Sequence, residues 1–229
     1  MRRFIVAGTP RSGSTWLQTL LKQMPGVFCT GELLDLPNLK SGGWKRPWPA
    51  LKKYWEQHAK SRACGFRFFY HSLTMFPQIL EAWENIKSDK TIHIIHFSRE
   101  NLLELVTSWE IAWKDKVWKV TSDKRQNKIK LNLEPEFYKN KFEEIEAGLE
   151  RLRSDLSDHP TLSLTYEELV VEREKSLHSI CNFLGADFNP NARSAHRKKE
   201  KRPLPEIHEN YKELREYFSD TKYSKWFIE

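Results

Sequence analysis

Cysteine is scarce in this sequence of 229 residues, and long apolar runs are missing altogether. The three cysteines, Cys29, Cys64 and Cys181, are far apart and form no Cys-x-x-Cys pair, so we expect reduced thiols rather than disulfides or a metal centre. No run of about 18 apolar residues exists to span a bilayer, and a predicted strand begins just after Met1. We therefore expect a cytoplasmic protein with neither a transmembrane segment nor a signal peptide.

The composition predicts one globular domain over residues 1–229. Hydrophobic residues make up 39% of the chain and charged residues 30%, which is typical of a folded protein rather than a disordered one. The net charge of +7 favours anionic partners, and it suits a nucleotide as well as it suits nucleic acid. The length is enough for a full α/β core.

The stretch from Gly8 to Thr15 joins a predicted strand, residues 3–7, to a predicted helix, residues 16–21. Glycine-bearing loops at this position bind phosphate, because free backbone N–H groups and the positive end of the helix dipole converge there. Gly8, Gly13 and Thr15 keep the spacing of the P-loop signature GxxxxGK(S/T). The loop therefore predicts a phosphate-binding site.

The lysine of that signature is missing from this loop. Ser14 stands at the lysine position, and the cation of the loop, Arg11, comes earlier. A loop without the lysine that reaches the γ-phosphate indicates a ligand that carries a phosphate but no γ-phosphoryl group to transfer. This argues against an ordinary kinase or ATPase.

The order of the predicted elements indicates an α/β fold. Strands at 27–29, 63–70, 91–97 and 161–164 follow the first one, and they alternate with helices at 51–59, 75–86, 101–120, 136–156, 175–184 and 205–218. Residues 37–49 and 121–132 are predicted to be irregular. Alternating elements of this kind predict a P-loop NTPase-like three-layer sandwich, with a central, mainly parallel sheet and helices on both faces. Ligands bind beyond the carboxyl ends of such strands, where Gly8 and Arg99 both fall.

The loop resembles the 5′-phosphosulfate loop of sulfotransferases that use 3′-phosphoadenosine 5′-phosphosulfate (PAPS). The resemblance lies in the run Pro-Arg-Ser-Gly-Ser-Thr-Trp-Leu of residues 10–17, in which Arg11 replaces the lysine of many members. It implies that Arg11 stabilises the leaving oxygens. It also implies a donor-binding set made of Arg11, Ser12, Gly13, Ser14, Thr15 and Trp16.

A second segment, residues 99–109, resembles the bacterial carbohydrate sulfotransferases of the trehalose and nodulation-factor type. The resemblance implies that Arg99 and a hydroxyl on the following helix bind the 3′-phosphate of PAPS. The hydroxyl lies eight positions after the arginine in many sulfotransferases, which is Thr107 here. It lies further on in the bacterial enzymes, and we therefore prefer Ser108.

Later segments extend the resemblance from residue 4 to about residue 218. Residues 166–169 and 183–185 are similar to the Tyr-Glu-Asp-Leu and Phe-Leu-Gly stretches of the superfamily, which implies that Tyr166 lies near the adenine and that Trp16 stacks on it. A basic loop near the C-terminus is implied to close over the 3′-phosphate. We assign that role to Arg197 and Lys198.

Two residues compete for the role of the base that takes the proton of the acceptor hydroxyl. Glu32 matches the glutamate that follows the second strand in the bacterial enzymes. His71 follows the predicted strand 63–70, near the place of the catalytic histidine of steroid and phenol sulfotransferases. We favour Glu32. His93 and His96 are predicted to be ordinary sheet residues.

Taken together, the sequence predicts in-line transfer of a sulfuryl group from PAPS to a hydroxyl, leaving 3′-phosphoadenosine 5′-phosphate (PAP), without a metal. A carbohydrate or glycolipid is the expected acceptor, and a small molecule or acyl chain with a hydroxyl is the alternative. More distant alternatives are a P-loop phosphotransferase and a nucleic-acid-binding domain, the latter resting on charge and on the basic run 196–202. No nucleic-acid partner is expected.

The tryptophans could stack on sugar rings or serve packing alone. Those in question are Trp44, Trp48, Trp109, Trp113 and Trp118.

Overall fold

A parallel sheet of five strands lies at the centre of the computed structural model, which describes residues 1–34, 46–118, 128–194 and 202–227. The strands are β1 Arg2–Gly8, β2 Val27–Glu32, β3 Ala63–Phe69, β4 His93–Ser98 and β5 Thr161–Thr165. Their order is β2-β3-β1-β4-β5, and every neighbouring pair is parallel. The predicted parallel α/β sheet is confirmed.

The helices connect these strands and continue to the C-terminal part of the chain. In the described residues they are α1 Ser14–Leu21, α2 Pro47–Gln57, α3 Ser72–Met75, α4 Leu80–Ser88, α5 Leu102–Asp115, α6 Pro135–Asp155, α7 Tyr166–Val171, α8 Arg173–Leu184, α9 Leu204–Ile207 and α10 Tyr211–Tyr217. Gly185 ends α8 in the left-handed conformation, with φ at 64°, as its sequence position predicts.

One compact unit contains the whole sheet and comprises residues 1–98 and 148–194. Its apolar side chains form two clusters, because alternate residues of a strand point to opposite faces. Val6 and Phe97 pack with Leu17 of α1 and Ile180 of α8 on one face. The second cluster joins Ile5, Ile94, Trp55, Trp83 and Leu152 on the other face. Helices therefore cover both faces, which confirms the predicted three layers.

The second compact unit comprises residues 99–147 and 195–229, of which 119–127, 195–201 and 228–229 are not described. Aromatic side chains make its core. The ring of Phe142 lies 5.6 Å from that of Phe218, 5.0 Å from that of Tyr223 and 5.1 Å from that of Trp226, measured between centroids. A short parallel bridge pairs Leu131 with His208. The expectation of a single domain stays a prediction.

Two predicted helices are interrupted in the structure. The helix expected over 75–86 begins instead with α3, continues as a 3-10 turn at Pro77–Ile79 and becomes regular only in α4. Pro77 has no N–H group to donate to the preceding turn. The helix expected over 205–218 is divided into α9 and α10. The bridge to Leu131 draws His208 into an extended conformation, with ψ at 117°, and so breaks the helix.

Two further boundaries were wrong. Residues 37–49 were expected to be irregular, but α2 begins at Pro47, because proline is well suited to the first turn of a helix. Residues 35–45 lie outside the described residues. The helix expected over 101–120 ends at Asp115, where Lys116 takes a left-handed conformation with φ at 59°.

The helices of the described ranges differ from membrane spans in length and hydropathy. None of them is both long enough and apolar enough to cross a bilayer.

We predict that Gly13→Ala destabilises the protein more than Gly26→Ala. Both glycines have positive φ, 89° and 76°, so either alanine should incur about 1–2 kcal/mol of backbone strain. At Gly13 the new Cβ would also lie 2.5 Å from Cδ2 of Tyr166, whereas at Gly26 it meets the flexible side chain of Arg62 at 2.9 Å. Urea unfolding of the two variants measures the difference, and equal losses would contradict the prediction.

Candidate active site

The loop between β1 and α1 has the backbone of an anion-binding loop. Gly13 precedes α1 in a left-handed conformation, and Arg11 is one of two non-glycine residues with positive φ in the described chain, at 65°. Gly8 lies so close to the backbone of Phe97 that a side chain at this position would meet its carbonyl oxygen. A strained residue between two constrained glycines is typical of a loop whose conformation serves binding.

Two hydroxyls inside the loop are buried without a partner. The Oγ1 of Thr9 and the Oγ of Ser12 make no hydrogen bond to any part of the chain that the structure describes, and the two residues are 6% and 0% exposed. A buried hydroxyl left without a partner costs about 1–3 kcal/mol, so such groups ordinarily bind a ligand or water. The loop therefore offers donors that fit a phosphate or sulfate group.

Trp16 and Tyr166 lie beside this loop. Their rings meet edge to face, with centroids 5.9 Å apart and planes at 67°. The Tyr166 ring also borders Gly13, because a Cβ atom at position 13 would lie only 2.5 Å from Cδ2 of Tyr166. The structure thus brings together the two aromatic residues that the resemblance assigns to the adenine. Their role in binding it stays a prediction.

Arg67 is a functional candidate that the sequence reasoning missed. It lies on β3, is 2% exposed, and its Nη1 donates to Thr15 Oγ1 at 2.5 Å and to Ser14 Oγ at 3.3 Å. Its Nη2 forms an ion pair with Glu32 at 2.8 Å. The lone charge in the apolar run Gly-Phe-Arg-Phe-Phe was the available signal, because a buried guanidinium needs partners.

Glu32 reaches this cluster from the end of β2. The pairing of β2 with β3 shifts register between Thr30 and Glu32, and Glu32 is thereby placed opposite Arg67. Its side chain is 28% exposed, so the carboxylate is both held by Arg67 and accessible to a ligand. Irregular pairing at the end of a strand commonly redirects a side chain in this way.

His71, the rival base, lies two residues beyond β3. Its ring stacks on Phe69, with centroids 5.9 Å apart and planes at 19°, and the Arg67 guanidinium lies 5.7 Å from the same phenyl ring. His71 directly precedes α3. The ring of His71 thus packs on Phe69, whereas the carboxylate of Glu32 is bonded directly to the cation that contacts the loop. Which of the two is the base stays a prediction.

Arg99 follows the last residue of β4 and belongs to the second unit. It is 7% exposed and forms an ion pair with Glu104 of α5, whose backbone N–H is capped by Asn101 Oδ1 at 2.9 Å. The ion pair with Glu104 and the helix cap by Asn101 therefore fix the Arg99 guanidinium at the start of α5. A rigid planar fork of this kind suits a phosphate.

The hydroxyl of Thr107 is committed to a buried network within the second unit. Thr107 Oγ1 lies 2.8 Å from Nε2 of His208, and Nδ1 of the same ring lies 3.1 Å from the hydroxyl of Tyr138. His208 and Thr107 are each 2% exposed, and Tyr138 is fully buried. The network thus connects α5 and α6 with the residue that separates α9 from α10, His208.

Several of the remaining predicted residues cannot be placed. Arg197, Lys198 and Trp44 lie outside the described residues. Trp48 packs against the core of the first unit, whereas Trp113 and Trp118 are 50% and 41% exposed, with their rings 5.2 Å apart. Packing therefore accounts for Trp48 and not for the exposed pair.

Known proteins are similar to this chain in sequence. A sequence profile described as the sulfotransferase family matches residues 3–88. Nodulation protein H of Rhizobium tropici is 24% identical, over 98% of this chain and 92% of that protein. Nodulation protein H of Rhizobium meliloti is also 24% identical, over 99% of this chain and 95% of that protein.

A solved structure extends the comparison to the fold. The crystal structure of a sulfotransferase from Alicyclobacillus acidocaldarius matches 94% of this chain and 90% of its own, with a TM-score of 0.55 at 14% identity. At this identity the likeness concerns the fold alone. The sequence matches confirm the resemblance on which the sequence interpretation rests.

We predict that His208 makes stability depend on pH between about 6.5 and 4. Burial lowers the pKa of His208 to about 4, so the folded protein keeps the ring neutral while the unfolded chain binds a proton below about 6.5. Stability is therefore full above that range and falls on acidification, by up to about 1.4 kcal/mol per pH unit for this group. His208→Gln should be less stable at pH 7 and should have a shallower slope.

Urea unfolding at several pH values between 7 and 4 checks this prediction. Tyr138→Phe, which removes one hydrogen bond but keeps the imidazole, is the matched control and should keep the slope. Parallel profiles for wild type and His208→Gln would contradict the prediction.

Proposed function

We propose that this chain is an enzyme of the sulfotransferase family, which its sequence resembles, and that it transfers the sulfuryl group of PAPS to a hydroxyl of an acceptor. The observation that supports the proposal most directly is the position of Arg67. A single buried guanidinium is bonded to Ser14 and Thr15 of the phosphate loop and to Glu32, the predicted base. The proposed phosphate loop and the proposed proton acceptor thus contact the same cation.

We assign donor binding to the loop. When bound there, PAPS supplies the sulfuryl group, and PAP is the leaving product. The hydroxyls of Thr9 and Ser12 and the N–H groups at the start of α1 would hold the oxygens of the phosphosulfate. Arg11 would neutralise the charge that develops on the leaving phosphate. No metal enters this scheme, and that expectation stays a prediction.

We assign proton transfer to Glu32. The acceptor hydroxyl must lose its proton as its oxygen attacks the sulfur, and a positioned carboxylate can take that proton. Arg67 would keep the carboxylate in one orientation and at the loop. In-line displacement depends on such positioning more than on covalent participation of the protein.

We assign recognition of the 3′-phosphate to Arg99 and Ser108. Glu104 orients the Arg99 guanidinium. The preference for Ser108 over Thr107 as the second ligand rests on the resemblance. The remaining assignment, Arg197 and Lys198 as a basic loop over the same phosphate, stands on the resemblance alone.

We propose a carbohydrate or glycolipid as the acceptor. Both relatives named above are nodulation proteins, and their sequences match this chain over nearly its full length. The half-exposed ring of Trp113 supports the proposal, because exposed indole faces pack well against sugar rings.

The donor proposal predicts tight binding of PAP that depends on its 3′-phosphate. Calorimetric titration should show PAP binding at least about tenfold more tightly than ADP or 5′-AMP, since a hydrogen-bonded charge pair contributes about 1.5–3 kcal/mol. Arg99→Ala should remove that preference. Arg62→Ala, which alters an exposed arginine paired with Asp187, is the control and should keep it. Equal affinity for ADP in the unaltered protein would favour a phosphotransferase.

The base proposal predicts that Glu32→Gln lowers kcat by about 10²–10⁴-fold, the usual contribution of general base catalysis, with little change in PAP affinity. His71→Ala should have a much smaller effect. Formate should restore part of the activity of Glu32→Ala, because a free carboxylate can replace the missing one. If Glu32→Gln kept its activity and His71→Ala lost it, His71 and not Glu32 would be the base.

A further inference from the structure

An exposed apolar patch lies at the C-terminal end of α5, in the second unit. Trp113 is 50% exposed, and Val117 and Trp118 are each 41% exposed. The two indole rings meet edge to face, with centroids 5.2 Å apart and planes at 82°. Large apolar side chains that are exposed next to one another mark a binding surface, whereas single exposed ones are ordinary.

The turn after α5 holds these side chains together. Lys116 takes a left-handed conformation directly after the helix, with φ at 59°. The Val117 N–H donates to Asp115 Oδ1 at 2.8 Å, which orders the turn. Lys116 Nζ lies 4.9 Å from the centroid of the Trp113 ring. The turn therefore presents both indoles to solvent with a cation beside them.

Lysines adjoin the patch on two segments of the chain. Lys114 and Lys116 are exposed at the end of α5 and on its turn, and Lys128 and Lys130 are exposed further along. The Lys114 ammonium lies 3.4 Å from the carbonyl oxygen of Lys130, to which it donates, so the two segments are adjacent. Ile129 packs inward against an apolar cluster of the second unit. The lysines on either side of it therefore face outward.

The charge around the patch is mainly positive. Residues 113–130 contain seven lysines and arginines and two aspartates. Of the carboxylates near the patch in the described chain, Asp115 is engaged with the backbone of the turn, Glu110 is half-buried, and Glu206 is exposed on α9. The carbonyl oxygen of Glu206 accepts a hydrogen bond from Lys130. The four described lysines thus outnumber the carboxylates that accompany them.

Exposed indoles and lysines are complementary to the surface of an anionic membrane. Tryptophan is favoured where lipid headgroups meet the acyl chains, because its ring is largely apolar but carries one N–H donor. Each lysine near an anionic surface raises the affinity about fivefold. A segment that exposes both kinds of side chain together is therefore suited to the membrane interface.

We propose that this patch, made of Trp113, Val117 and Trp118 with Lys114 and Lys116, binds the surface of an anionic membrane. The indoles and the valine enter the headgroup region, and the ammonium groups contact the anionic headgroups. The protein is thereby held at the membrane from one side. The proposal does not depend on the proposed function, because lipid alone is the ligand.

Cosedimentation of the whole protein with vesicles tests this patch. Vesicles of equal parts phosphatidylglycerol and phosphatidylcholine should bind the protein at least about tenfold more tightly than vesicles of phosphatidylcholine alone. Brominated phosphatidylcholine in the mixed vesicles should quench indole fluorescence, because bromine quenches only the indoles that come close to it. Equal binding to both kinds of vesicle, or binding to neither, would overturn the proposal.

Tryptophan variants separate insertion from attraction by charge. The double variant Trp113→Ala, Trp118→Ala should bind the mixed vesicles at least about tenfold less tightly and should lose most of the quenching, since two large apolar side chains no longer leave water. Val171→Ser is the matched control, because Val171 is 82% exposed but lies next to Glu172. It should keep both signals. Undiminished binding of the double variant would overturn the proposal.

Lysine variants test the contribution of the local charge. Lys114→Gln combined with Lys116→Gln should weaken binding to the mixed vesicles by about tenfold or more. Lys139→Gln combined with Lys141→Gln removes the same charge from α6, where each lysine is paired with a glutamate of that helix, and should have little effect. Equal losses in the two double variants would show that the net charge alone attracts the protein, which would contradict a defined patch.

Two other occupants of the patch give different results. Maltotriose that changes the indole fluorescence of the unaltered protein but not of the double tryptophan variant, without any binding to vesicles, would identify a sugar site. A dimer that the same variant dissociates, again without binding to vesicles, would identify a contact between copies of this chain. Either result would overturn the proposal.

Discussion

The placement of Arg67 inside the sheet constrains much of the surrounding structure. A guanidinium that is 2% exposed would be strongly destabilising without partners, because removing a charge from water costs several kcal/mol. Ser14 and Thr15 on one side and Glu32 on the other provide those partners. The same interactions fix the start of α1, the end of β2 and the middle of β3 relative to one another. Stability and the geometry of the candidate site therefore have a common origin.

Local sequence patterns were sufficient to predict the centre of the fold. The apolar runs of β1, β3 and β4 identify buried strands, and Gly8 and Gly13 identify the loop because their backbone positions tolerate no side chain without displacement of a neighbour. A parallel sheet follows from the alternation of strands and helices. These features depend on residues close together in the sequence, which is why the sequence alone is sufficient to predict them.

The features that were missed depend on residues far apart in the sequence. The break between α9 and α10 results from the bridge of His208 with Leu131, and no local signal marks it. The partners of Arg67 come from three separate segments, so periodicity identifies β3 but cannot say what its one charged residue bonds. Pro77 is different, because its effect on the helix is local and could have been predicted from the sequence.

Arg67 supplies a cation to the loop, which lacks the lysine of the P-loop signature. A P-loop lysine belongs to the loop itself and moves with it, whereas Arg67 reaches Ser14 and Thr15 from a buried strand and is bonded to Glu32 at the same time. A change in the loop is thereby transmitted to the carboxylate through one planar group. Lysine could not replace it, because one ammonium group lacks the fork that contacts loop and carboxylate together. The arrangement joins the loop to the predicted base through one buried group, and we therefore expect anion binding at the loop to affect the position of Glu32.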